Sequence, residues 1–240
     1  MNNKNIKLDP RLALAASFVR GKVAADIGTD HAYIPIFLLT SGKCAYAIAS
    51  DINEGPLMRA KANAFSYGVD KNIYFGLTDG LRDLPLEEKS VSDIVICGMG
   101  GELIAQIIEA SEYAHKADVN LILQPMSSIA ELRYYLADKG FEIKDEGICH
   151  SQRKLYQCIN CTYTGEKYTL TPAEAILGKI NIKKGTANAH FAALLSKLTE
   201  QTKHIITGKQ KGATDTEAEK KLLAELESIG KHMEAYDENI

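Results

Sequence analysis

Short apolar runs at residues 23–26, 45–50, 73–76, 94–97 and 120–124 alternate with segments of helical spacing, such as 56–67 and 101–110. Runs this short, without polar alternation, read as strands covered on both faces. Strand and helix taken in turn predict a parallel sheet with helices on either side. Upstream, Asp9-Pro10 before the run 11–19 marks a helix start, with Asp9 as N-cap and Pro10 in the first turn, and Gly21 marks its end.

The rhythm changes at Phe141. Residues 141–149 and 154–163 are two strand-like runs joined by a turn around Ser151 and Gln152, a β-hairpin at the end of the sheet. An α/β, Rossmann-like sheet of five parallel strands closed by an antiparallel hairpin is the layout of class I methyltransferases, whereas dehydrogenase domains end in a sixth parallel strand. From about Glu166 the pattern is helical. Phe191, Leu194, Leu198 and Ile205 form one narrow apolar seam, and Leu222, Leu226, Ile229, Met233 and Tyr236 form another. Residues 208–215, containing Gly208 and Gly212, read as the turn between two helices of about five turns in an antiparallel hairpin, packed on itself and partly on the main domain. The expected organisation is a catalytic α/β domain over residues 1–165 and a coiled-coil-like helical appendage over 166–240.

Charge and thiols narrow the class. A net charge of −3 means that any nucleic-acid partner must be held by local patches, since the surface is not globally basic. Arg11, Lys22, Arg133, Arg153 and Lys154 are spread through the first domain, and Lys179, Lys183, Lys184, Lys197, Lys203, Lys209 and Lys211 enrich the appendage. Such charges serve as a solvated face or as contacts to RNA phosphates. The five cysteines lack framework spacing and sit mostly in apolar runs, which suggests a reducing cytoplasm. Cys158-Ile159-Asn160-Cys161 has no second pair or histidine pair beside it and reads as structural, so no metal is expected. No leader or 18-residue apolar run is present, so a soluble cytoplasmic protein without membrane contact is expected, with a monomer as the favoured state.

The chemistry gathers at the strand ends. The first strand stops at Asp26-Ile27-Gly28-Thr29-Asp30-His31, and the second delivers Asp51 in Ser50-Asp51-Ile52, at the distance where an acid holds a cofactor ribose. A pyrophosphate needs G-x-G-x-x-G, but here the register is Gly28, Asp30, Tyr33, and Asp30 would repel it. The acidic loop suits a cationic ligand. S-adenosylmethionine, with its sulfonium and ammonium groups, gives Asp26 and Asp30 something to face. Further strands end at Asp79-Gly80, at Gly98 and at Gln124-Pro125, which converge on one crevice in an open α/β sheet. There Asp79 is placed to take an adenine amino group. The glycines of Gly98-Met99-Gly100-Gly101 let a flat group approach the backbone, as a substrate-base pocket requires.

These motifs resemble the bacterial tRNA (adenine(22)-N1)-methyltransferases, the TrmK family, along most of the chain. The likeness rests on Leu8-Asp9-Pro10-Arg11-Leu12, the run 26–35, Ser50-Asp51-Ile52-Asn53, Asp79-Gly80-Leu81, Gly98-Met99-Gly100-Gly101 and Leu123-Gln124-Pro125. It implies methyl transfer from S-adenosylmethionine to N1 of adenine 22 in tRNA. The expected cofactor contacts are Asp26, Gly28, Thr29, Asp30, His31, Asp51, Ile52, Asp79, Gly80 and Gly98. The expected catalytic set is Gly98, Met99, Gly100, Asp9 and Arg11. The chain departs from the family pattern at Asp9, where serine is usual, and in the linker 175–179, which lacks a proline after Gly178. The residues alone also admit a methyltransferase acting on another substrate, or a protein of this fold that binds RNA or cofactor without turnover.

Overall fold

A computed structural model describes residues 6–212 and 214–237. Five parallel strands, β1 (Val23–Ile27), β2 (Tyr46–Asp51), β3 (Ile73–Leu77), β4 (Asp93–Met99) and β5 (Asn120–Pro125), are followed by the antiparallel pair β6 (Phe141–Ser151) and β7 (Lys154–Tyr163). The sheet order is β3-β2-β1-β4-β5-β7-β6. The apolar runs and the terminal hairpin therefore lie where the sequence pattern puts them, with strand ends differing by one or two residues.

The strands alternate their side chains between two helical layers. Ala24, Val95 and Ile122 pack with α1 (Pro10–Phe18) and α2 (Tyr33–Thr40), and Ala47 and Ala49 pack under α3 (Glu54–Ser66). Ala25, Ile27, Ile94, Ile96, Leu121 and Leu123 face the other way, onto α4 (Gly101–Glu109) and α5 (Ile129–Lys139). The Asp9 carboxylate caps α1 by accepting from Arg11 N at 2.8 Å and Leu12 N at 3.1 Å. Cys158 and Cys161 stand three residues apart on β7, so the two-residue strand period sends them to opposite faces, into separate clusters. They cannot act as a pair, and among the described residues no group of His, Cys, Asp and Glu could hold a metal ion.

The C-terminal part holds two short helices that the pattern does not resolve, α6 (Pro172–Leu177) and α7 (Lys179–Lys184), before the long α8 (Phe191–Lys211) and α9 (Glu217–Asp237). The inter-helix turn is shorter than expected, because α8 runs through Gly208 and ends at Gly212. Ion pairs of Lys209 with Glu219 at 2.6 Å and Lys203 with Glu227 at 3.6 Å mark α8 and α9 as antiparallel. The seam residues Leu194, Leu198, Leu222, Leu226, Ile229 and Met233 share one apolar cluster with Ile148 and Leu155 of the β-hairpin and Ala173 and Leu177 of α6. The helix pair thus packs on itself and on the sheet's end. The side chain of Tyr236 lies outside the described residues.

Candidate functional site

At the end of β1 the chain turns back over β2. Gly28 takes φ +75°, and the N–H groups of Gly28 and Thr29 both donate to Ser50 O at 2.8 Å. The Thr29 hydroxyl then accepts from Ala32 N at 3.2 Å, one residue before α2. A Cβ at Gly28 would collide with Met99 Cε, so the bare glycine lets the β4 end close over the loop. The fold thus brings the β1 loop and the end of β4 together.

A cleft of about 290 Å³ opens at this edge. Its walls include Asp9 and Arg11 from the N-terminal helix region, Asp26, Gly28, Thr29, Asp30 and His31 from the loop, and Gly98 from β4. The Asp26 carboxyl is almost fully buried there. Burial pushes its pKa up to about 7, with the Thr29 hydroxyl pulling the other way and the charge of Asp51 adding to the rise. Two acids close together, with no ion pair to either among the described residues, form a donor set suited to a positively charged ligand.

Asp30 differs from this expectation. It is exposed, forms an ion pair with Arg59 of α3, and lies 3.2 Å from His31 Nε2. Of the acids that line the cleft, Asp26 is the buried one and makes no ion pair among the described residues. His31 stacks on Tyr33 with ring centroids 5.0 Å apart, and its carbonyl accepts from Asn63 Nδ2 at 3.1 Å. Arg59 and Asn63 were missed by the sequence reading. Their i, i+4 spacing on α3 is the signal that both face the loop.

Asp79 and Gly80 do not join the first cleft. They line a second one, of about 220 Å³, with Arg82 and with Leu103, Gln106 and Ile107 of α4. Gly80 takes φ +65°, and Thr78 N donates to Asp51 O at 3.0 Å, which extends the β2–β3 pairing past its end and turns the Asp79 loop toward α4. The Asp51 carboxylate accepts from Asn53 N at 2.8 Å, and its charge adds to the rise of the Asp26 pKa. Ile52, beside it, is exposed. Asp26 and Asp79, expected in one crevice, line two separate clefts.

On the other wall, Arg11 Nη1 donates to Gln124 Oε1 at 2.6 Å and the guanidinium lies 5.9 Å from the Tyr156 ring centroid. Gln124 is fully buried, and its amide nitrogen donates to Pro125 O at 2.8 Å, which orients its oxygen toward Arg11. Gly98 has φ +82°, and a Cβ there would sit 3.4 Å from Arg11 Nη1. Gly100 lies against the Ser127 hydroxyl, and a Cβ on Gly101 would collide with Ser128 O. The glycines of the β4–α4 turn thus let Arg11, Ser127 and the Ser128 backbone approach closely. Cys97, half-buried in the cleft wall, has its thiol pKa pushed far up by burial first and Asp26 next, which disfavours the thiolate.

The cationic patches are sparser than the sequence suggests. Arg133 is fully buried, so it is not a phosphate contact. Lys184, Lys203 and Lys209 are bound to Asp145, to Glu200 and Glu227, and to Glu219. Lys179, Lys183, Lys197 and Lys211 are exposed and make no ion pair among the described residues. No described helix is long and apolar enough to cross a membrane.

Seven strands in this order, with an acid-and-glycine cleft at the carboxyl ends of β1 and β4, define a class I methyltransferase, and a methyltransferase-domain family profile matches residues 8–159. The tRNA (adenine(22)-N(1))-methyltransferase of Bacillus subtilis is 32% identical over 224 residues, covering 92% of this chain and 93% of that protein. The chain belongs to that family. The crystal structure of B. subtilis TrmK, an m1A22 tRNA methyltransferase, matches with a TM-score of 0.76 at 32% identity over 97% of this chain and 98% of that one. A Streptococcus pneumoniae protein, described as a candidate tRNA (m1A22) methyltransferase and solved with S-adenosyl-L-methionine, also matches with a TM-score of 0.76 at 32% identity. That match covers 90% of this chain and all of the other.

Proposed function

We propose that this protein transfers a methyl group from S-adenosylmethionine to N1 of adenine 22 in tRNA. The observation that carries the reading is the cleft that brings the buried acid Asp26, at the end of β1, together with Gly98, at the end of the neighbouring β4. When bound, S-adenosylmethionine supplies an electrophilic methyl on a sulfonium. Asp26 and the Gly28–Thr29 turn would hold the ammonium group of its methionine end, Asp51 would accept from its ribose hydroxyls, and Asp79 with Gly80 borders the second cleft.

Neutral adenine has a lone pair at N1, so the protein need not remove a proton before attack, and positioning supplies most of the acceleration. Base pairing hides N1, so the target must be unpaired or flipped out, and the glycines around Met99 form the slot that receives it. The slot offers no paired side-chain acceptors of the kind that hold an exocyclic amine, which favours a ring nitrogen over N6. Arg11, fixed by Gln124 and Tyr156, stands at the slot's rim with Asp9 3.9 Å away. Asp9 lines the same cleft and would offset the positive charge that methylation leaves on the base.

Residues 1–165 serve as the catalytic unit and 166–240 as the part that steadies the tRNA body, in the cytoplasm where tRNA is modified. The test is calorimetry combined with methyl transfer to an unmodified tRNA transcript. Wild-type protein binds S-adenosylmethionine and labels the RNA, and Asp51→Ala weakens cofactor binding about 10- to 100-fold, the worth of hydrogen bonds to a charged group. Binding unaffected by Asp51→Ala contradicts the assignment.

A further inference from the structure

Away from both clefts, the largest fully buried side chain is a charged one, Arg133 on α5, and it meets the equally buried Glu146 on β6. Arg133 Nε and Nη2 lie 2.8 and 2.7 Å from Glu146 Oε1, and Nη2 also donates to Gln157 Oε1 at 2.8 Å. Its Nη1 donates to the carbonyls of Ala175 at 2.8 Å and Ile176 at 3.3 Å, near the C-terminus of α6. The other carboxylate oxygen of Glu146 accepts from Ile180 N at 2.8 Å and Asn181 N at 3.4 Å, in the first turn of α7. A cation thus meets the carbonyl end of one helix and an anion meets the N–H end of the next, the signs that each terminus favours.

Between the two helices sits Gly178, at φ +93°, where a Cβ would collide with the Glu146 carboxylate. This joint lies inside the helical appendage, where Arg133 of α5 and Glu146 of β6 tie α6 and α7 to the sheet domain, and it lacks the proline that would otherwise stiffen it. A well-packed apolar pair can serve stability as well as a buried ion pair, but it lacks the directional hydrogen bonds that fix a helix angle. The same hairpin reaches the cleft through its opposite face. Gly147 packs against Leu14 of α1, and Tyr156 lies under Arg11. One strand pair therefore connects the clamp to the cleft wall.

We propose that Arg133 and Glu146 are positioning residues for the macromolecular substrate: they set the angle of the α6–α9 appendage relative to the cleft, so that a tRNA held on the appendage presents its adenine to the Gly98–Gly101 slot. The inference rests on the tRNA reading above. Its test is the full chain carrying Arg133→Met and Glu146→Leu together, which removes both charges and leaves none buried alone. The expected result is a folded protein whose Kd for S-adenosylmethionine is unchanged, with faster hydrogen exchange at the Ile180 and Asn181 amides. Its kcat/KM for tRNA falls about 100-fold, the scale of a misplacement near 1 Å.

A folded double variant with wild-type kcat/KM overturns the proposal. If that variant does not fold, Gln157→Leu loosens the clamp without removing a charge. The same split then applies: tRNA kcat/KM down with cofactor binding intact supports the proposal, and no change in tRNA kcat/KM overturns it. A wild-type protein that methylates no tRNA contradicts the functional reading itself, and the clamp's role falls with it.

Discussion

Burial lifts the Asp26 carboxyl from 3.8 to about 7, with Asp51 nearby to resist a second negative charge. The sign of the consequence follows from linkage. An acid whose pKa is higher folded than unfolded holds its proton more tightly in the native state. It therefore contributes stability below about pH 4 that is lost as pH rises through about 7. A cationic cofactor reverses the preference, since it needs the ionised form. Calorimetry across pH 5 to 8 is expected to show S-adenosylmethionine affinity weakening by about tenfold per unit below about pH 7 and levelling above it. Asp26→Asn is expected to flatten both that profile and the melting-temperature slope of the ligand-free protein. At this scale the sequence showed which residues lie at strand ends, because strand length and loop register are local. It did not show that Arg59 neutralises Asp30 or that Gln124 holds Arg11, because those partners come from distant parts of the chain.

Helix α8 shows how element boundaries escape a pattern. Gly208 and Gly212 both resemble terminators, yet only the second one ends the helix. The Lys209–Glu219 pair and the α9 seam carry α8 past the first, so tertiary packing outweighs a local preference. Gly208 is exposed inside a helix, and a Cβ there would meet nothing within 4 Å. Gly208→Ala is therefore expected to raise unfolding free energy by about 1 kcal/mol, measured by denaturant titration, and a destabilised variant contradicts that reading of α8. The short helices α6 and α7 were illegible for a different reason. Six residues each give too few turns for a period to show, and their joint is held by the non-local pair Arg133–Glu146. The strands were legible because a parallel sheet covered on both faces writes itself as uninterrupted apolar runs.

For the whole molecule, a balanced net charge leaves tRNA binding to a few cations that acids do not neutralise. Lys179, Lys183, Lys197 and Lys211 are exposed along the appendage, and replacing all four with alanine is expected to reduce the slope of log K against log salt for tRNA by about 3. An unchanged slope removes the appendage from the RNA-binding surface. Fold class was readable from the alternation of elements. The split of the site into two clefts was not, because it depends on how the Asp79 loop turns toward α4. The central claim joins both clefts, the glycine slot and the appendage in one reaction. Its most direct test is to incubate the protein with S-adenosylmethionine and an unmodified tRNA transcript, digest the product and map the modified nucleoside by mass spectrometry. The account predicts 1-methyladenosine at position 22, and a methyl group on N6, on another base or at another position contradicts it.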